Sequence, residues 1–185
     1  MTLDALAEIA KSEPQLAYKA YVSGTSRRWQ FVCRTTPGIA EQMKDLEDQI
    51  KEKLIPAILG GRQPSALMRS IYSLPVRIGG LGIQDPSFEA TSEYEYSIKM
   101  TSQLAKTIYN QERDFEQDKA LQIEIRSKVK KEKETRQKEL LDDIKSKCSE
   151  ELVRLIELSS EKGASSWLTS LPLTITAFTS ISNIF

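Results

Sequence analysis

At 185 residues the chain is long enough for one domain, or for a small domain with an extension. Hydrophobic residues supply 39% and charged residues 28%, so a modest core with long solvated faces is expected. Lys+Arg and Asp+Glu balance at 26 each, which gives no general pull toward nucleic acid or membrane. The lack of histidine removes the commonest general base and metal ligand.

Thr2 is placed to cap a short helix whose Leu3, Leu6, Ile9 and Ala10 share a face. Its Asp4 and Glu8 argue against a signal peptide. Ser12-Glu13-Pro14 restarts the pattern, with Ser12 as cap and Pro14 in the first turn. The second helix runs toward Arg34 with Leu16, Ala17, Ala20, Tyr21 and Gly24 on one side, and Gly24 to Ser26 is where it is expected to bend or break. Thr36-Pro37 opens a third helix. There Ile39, Met43, Leu46, Ile50 and Leu54 form the cleanest amphipathic stripe of the chain, and Pro56 and Gly60-Gly61 are expected to end it.

A short helix from Pro64 to Tyr72 leads into Leu74-Pro75-Val76-Arg77-Ile78-Gly79-Gly80-Leu81-Gly82-Ile83. Three glycines within four residues are costly to order, so this segment reads as a tight hairpin or an irregular clasp. The spacing is not that of a dinucleotide fingerprint and no Lys-Ser/Thr follows, so it is a turn that lets helices approach and not a phosphate loop. Asp85-Pro86-Ser87 starts a further helix with Ala90, Tyr94, Ile98, Thr101, Ala105 and Ile108 along one face.

From about Asp114 the pattern changes. Leu121, Ile125 and Val129 form one apolar patch, and Leu141, Ile144, Cys148, Leu152 and Leu155 another, while Lys130 to Glu139 contains no apolar residue. A helix with a bare charged middle reads as a rod. The fold class is therefore mostly α: a helical bundle over residues 1–113 with the clasp at 73–87, a long charged helix or helical hairpin over 114–162, and an uncharged, poorly ordered tail over 163–185. That tail carries Pro172 and nine Ser/Thr residues, too polar and broken for a membrane span. The two cysteines, Cys33 and Cys148, form neither a zinc cluster nor a disulfide framework and fit a reducing intracellular compartment.

Arg27-Arg28-Trp29-Gln30-Phe31, with Lys19 and Arg34 nearby, interleaves cations with aromatics. Guanidinium groups hold phosphates while ring faces pack on sugars or bases. The same pattern also describes core aromatics with a solvated basic flank. Arg77 in the clasp is placed to meet a phosphate or a local carboxylate. Lys128 to Glu139 holds six basic and three acidic residues, a run suited to an acidic partner but explained without one by i,i+4 pairing on a solvated helix. Asp142-Asp143 lies on the polar side of a helix, not on the tight strand turn beside a third acid that two-metal chemistry needs, and reads as surface. No nucleophile–base or metal set can be assembled, and no cofactor is implied.

In order along the chain stand Ala17-Tyr18-Lys19-Ala20-Tyr21-Val22-Ser23-Gly24, Arg28-Trp29, Arg34-Thr35-Thr36-Pro37, Leu54-Ile55-Pro56, the Ser73 to Ile83 block, Ser92-Glu93-Tyr94 and Ser160 to Leu168. Over residues 15–173 this succession resembles the thumb and linker that follow the reverse transcriptase palm in non-LTR (LINE-type) retrotransposon polyproteins. The resemblance implies a helical thumb, RNA-directed DNA synthesis by the whole protein, and contact with an RNA or RNA–DNA duplex. The metal-binding aspartates of the palm are not among these residues, so a non-catalytic role is expected here. Lys19, Arg27, Arg28, Arg34 and Arg77 are the expected phosphate contacts and Trp29 the expected packing surface. A second reading is a helical interaction protein that self-associates through the stripe Leu141, Ile144, Cys148, Leu152 and Leu155.

Overall fold

In a computed structural model of the chain, the structure describes residues 2–112 and 118–169. These residues are mostly helical and contain no strand. Helix α1 (Leu3–Ser12) begins where the Thr2 side chain accepts from the Ala5 amide at 3.3 Å. Ser12, expected to cap the next helix, instead closes α1 by donating its hydroxyl to the Ile9 carbonyl. Glu13 precedes α2 (Pro14–Ala20) without a side-chain cap, and Pro14 removes one of the amides that would need one. A wide turn at Tyr21–Thr25 then carries α2 into α3 (Ser26–Thr35). Gly24 thus deforms the rod locally without breaking it, as an i→i+5 turn allows.

The third helix starts later than its sequence suggests. Residues 37–43 form turns, with Gly38 in the left-handed region at φ +67°, and α4 spans Lys44–Gln49. A second wide turn, Ile50–Leu54, joins it to α5 (Ile55–Ile58). Pro56 therefore lies inside the helical run and does not end it. Proline cannot donate to the carbonyl four residues upstream; here that carbonyl, Glu52, accepts from Gln63 Nε2 at 3.4 Å. The stripe itself is as read: Ile50 and Leu54 are fully buried with Leu3, Leu6, Tyr18, Tyr21, Ile55 and Tyr72, while Met43 joins Trp29, Cys33 and Ala90 in a second cluster.

Helix α6 (Ala66–Ser73) brings in a residue the sequence reading passed over. Arg69 is 6% exposed, and its fork meets both Glu47 oxygens, Nε to Oε1 at 2.7 Å and Nη2 to Oε2 at 2.6 Å. Its Nη1 donates to the Ile83 carbonyl at 2.7 Å. Burial pushes the Glu47 carboxyl up from its ordinary range, and the Arg69 hydrogen bonds and charge oppose that. One guanidinium thus ties α4 to α6 and to the exit of the glycine segment.

That segment is an irregular clasp and not a hairpin. A single 3₁₀ turn at Val76–Ile78 is followed by closing bonds from the Gly82 amide to the Leu74 carbonyl (2.8 Å) and from the Ile83 amide to the Tyr72 carbonyl (3.0 Å). Tyr18 Oη fixes the Leu81 carbonyl at 2.7 Å. Two glycines are required by space. A Cβ at Gly79, where φ is +91°, would sit 2.6 Å from the Ile156 carbonyl; one at Gly80 would sit 2.1 Å from the Leu74 carbonyl.

Helix α7 (Pro86–Tyr109) is capped by Asp85, which accepts from the Ser87 and Phe88 amides at 2.8 and 3.1 Å. The long α8 (Lys119–Lys147) runs antiparallel to it, α9 (Glu150–Ser160) turns back over the clasp, and α10 (Ser166–Thr169) places Leu168 in the first cluster. Cys148-Ser149 interrupts the expected self-association stripe, so it does not lie on one helix. Ile144 and Ile156 pack with Ile71 and Leu74, and Leu141, Cys148 and Leu152 lie against them. Those residues are occupied within the chain, while Leu155, the last of the stripe, is 53% exposed. Among the described residues no helix is long and apolar enough to cross a membrane, and residues 170–185 of the expected tail lie outside the described residues.

Replacing Arg69 by Met leaves Glu47 buried without its partner and is expected to cost about 3–5 kcal/mol in urea unfolding. Arg69→Met combined with Glu47→Leu is expected to recover most of that loss. Gly80→Ala is expected to be strongly destabilising in the same assay, while Gly24→Ala, with nothing within 4 Å of the added carbon, is expected to be neutral or stabilising.

Candidate functional site

The bare charged middle of α8 is not a solvated rod. It docks on α7 through ions. Glu93 of α7 is 5% exposed and accepts from Lys133 Nζ of α8 at 2.6 Å and from Arg34 Nε of α3 at 2.7 Å. Burial alone would raise its carboxyl, but the hydrogen bonds and charges of Lys133 and Arg34 outweigh that and hold it below the ordinary glutamate range. One turn earlier on α7, Arg136 bonds the Glu89 carboxylate at 3.3 Å, the Ser92 hydroxyl and the Phe88 carbonyl, with its guanidinium 4.3 Å from the Phe88 ring centre. Glu89 ends on the other side of the balance: burial raises its carboxyl more than Arg136 lowers it. The Lys133 ammonium also lies 4.8 Å from the Tyr96 ring centre, and Lys99 pairs with Glu132 at 2.6 Å. Gln122 closes the far end by donating to Gln103 Oε1 at 3.0 Å.

This docking leaves an open groove of about 730 Å³ along the α7–α8 pair, bounded also by the end of α3 and by the clasp. Tyr96, Met100 and Val129 form its apolar floor. Arg34, Arg77, Arg126, Lys130 and Lys133 stand around it against Glu93 and Glu134, a formal surplus of three positive charges. Lys133 and Arg34 share Glu93, and Arg77 lies 3.6 Å from Glu134 and donates to Gln137. Arg126 and Lys130 make no ion pair among the described residues.

Of the six residues singled out in the sequence, the groove unites Arg34 and Arg77. Arg27, exposed and bonded to Gln30 at 3.2 Å, precedes Arg34 by seven residues, about 10 Å along the same helix face, and lies outside the groove. Arg28 is exposed on α3, and Lys19 is half-buried on α2; neither lines it. Trp29 is corrected: at 5% exposure it packs on Cys33, Met43 and Ala90, so its ring offers no face to a sugar or base. The amphipathic pattern of α3 turns that ring inward while its cations stay out. Arg126, Lys130 and Lys133 line the groove and are not among the residues singled out in the sequence. For Lys133 the signal available was a basic run facing an α7 segment that carries Glu89 and Glu93, a pairing between helices rather than within one; nothing in the sequence marks Arg126 and Lys130. Asp142 and Asp143 are exposed as expected, and Asp143 pairs with Lys147 at 2.6 Å.

No protein-family model matches the chain, and neither a curated protein nor a solved structure matches it.

Because the Glu93 carboxyl is depressed on folding, its contribution is present above the unfolded-state glutamate value and is lost as pH falls through the lower folded-state value. Glu93→Gln is expected to cost on the order of 2 kcal/mol at pH 7. The gap between wild type and variant in thermal unfolding is expected to narrow as pH falls from about 5 to about 3. A gap that stays constant over that window contradicts the assignment.

Proposed function

We propose that this chain is a non-catalytic helical module that holds nucleic acid by its phosphate backbone. The supporting observation is the groove itself: five cations around an apolar floor, two of them, Arg126 and Lys130, with no carboxylate partner among the described residues. Phosphate contacts depend on such unneutralised cations, and the overall charge balance of the chain makes their concentration in one groove the informative feature. The reading agrees with the likeness of residues 15–173 to the thumb and linker of LINE-type reverse transcriptases, whose role is to grip a template and its copy. It rests on the groove and not on Trp29, which is core.

The reading is tested by fluorescence anisotropy with labelled oligonucleotides of mixed sequence. Binding is expected at low salt, independent of sequence, and weakening as salt rises. Arg126→Ala with Lys130→Ala is expected to weaken it about tenfold and to reduce the salt slope by about two, whereas Arg28→Ala leaves both unchanged. No binding at low salt, or binding indifferent to Arg126 and Lys130, overturns it.

A further inference from the structure

We infer that the groove takes a single extended strand, not the flank of a duplex. The inference rests on the phosphate-binding reading above and adds which form of nucleic acid fits. Arg126, Lys130 and Lys133 stand at i, i+4 and i+7 on α8, so they form one row along a single helix face, rising about 6 and then 4.5 Å. Successive phosphates of one strand meet such a row one cation at a time. Arg34 stands beside Lys133 across the shared Glu93, which puts a second donor at that end of the row.

The walls decide the rest. The row is paralleled by α7, whose Tyr96, Ser97 and Met100 line the same groove, with Val129 between the cations on α8. A duplex keeps its bases inward and presents phosphates on a convex surface, so it rides on the rim and leaves the apolar floor empty. A single strand can turn its bases toward that floor while its phosphates stay on the row, the combination of charged track and apolar platform that single-strand sites use. Tyr96 is not the platform: its ring is buried, with Lys133 and Lys99 set over it at 4.8 and 5.7 Å. Val129 is buried as well, so Met100, half-buried on the groove floor, is the residue left to receive a base. The groove volume of about 730 Å³ falls in the range of small-ligand clefts, enough for a short stretch of strand.

The test is competition between forms of one sequence on the full chain. Labelled 12-nucleotide RNA and DNA single strands, the matching RNA–DNA duplex and an abasic DNA strand of equal length are titrated by anisotropy at the same salt. Single strands are expected to bind at least tenfold more tightly than the duplex, and the abasic strand about tenfold more weakly than its parent. Arg126→Glu is expected to abolish the single-strand preference, and Met100→Ala to narrow the gap between parent and abasic strands without changing the salt slope. Circular dichroism and thermal unfolding check that both variants remain folded. Duplex binding as tight as single-strand binding, still weakened by Arg126→Glu, overturns the single-strand inference and leaves the phosphate reading standing. Absence of binding by every form overturns both.

Discussion

A buried carboxylate sets the arrangement of the groove face. Glu93 takes one hydrogen bond from α3 through Arg34 and another from α8 through Lys133, so three helices converge on one side chain. An unpaired charge at 5% exposure is expensive, and each cation removes part of that cost only while its helix is docked. The α8 residues from Lys130 to Glu139 have no apolar side chain with which to pack. Ion pairs at Glu93 and Glu89, together with the stacking of Arg136 on Phe88, replace the apolar contact that this stretch lacks. The groove lies beside that docking: Lys133 is drawn to Glu93, while Arg126 and Lys130 on the same face of α8 have no carboxylate partner among the described residues.

The helical body solves a comparable problem with an arginine. Arg69 joins α4, α6 and the end of the glycine clasp by bonding Glu47 through both its oxygens and the Ile83 carbonyl through its remaining arm. The clasp needs that anchor because its backbone bonds are few and irregular and its glycines add no packing of their own. In return it brings the Ile156 backbone of α9 close over Gly79, which seats the apolar end of the α8–α9 hairpin against Ile71 and Leu74. The long α8 is thus held at one end by hydrocarbon and in its middle by charge.

Much of the helical pattern was readable because periodicity and caps are local. The stripe Met43, Leu46, Ile50, Leu54, the Thr2 and Asp85 caps and the turn role of the glycines all follow from neighbours in sequence. The departures have a common physical origin in partners distant along the chain. Pro56 continues its helix because Gln63 and a wide turn relieve the backbone, and the Leu141 to Leu152 part of the stripe is covered by α6 and the clasp. At the site, Arg34 and Arg77 were legible as exposed cations, whereas Trp29 looked the same as a binding aromatic until its packing was known. Arg126, Lys130 and Lys133 looked like one more solvated run, since nothing in a sequence says which carboxylates a long helix will meet.

Amide hydrogen exchange across α8 in wild type and Glu93→Gln tests most directly whether charge docks the middle of that helix. Loss of protection is expected over residues 126–137, while residues 140–156, held by Ile71, Leu74, Ile144 and Ile156, keep theirs. Unchanged protection over 126–137 in the variant would contradict the central role given to Glu93.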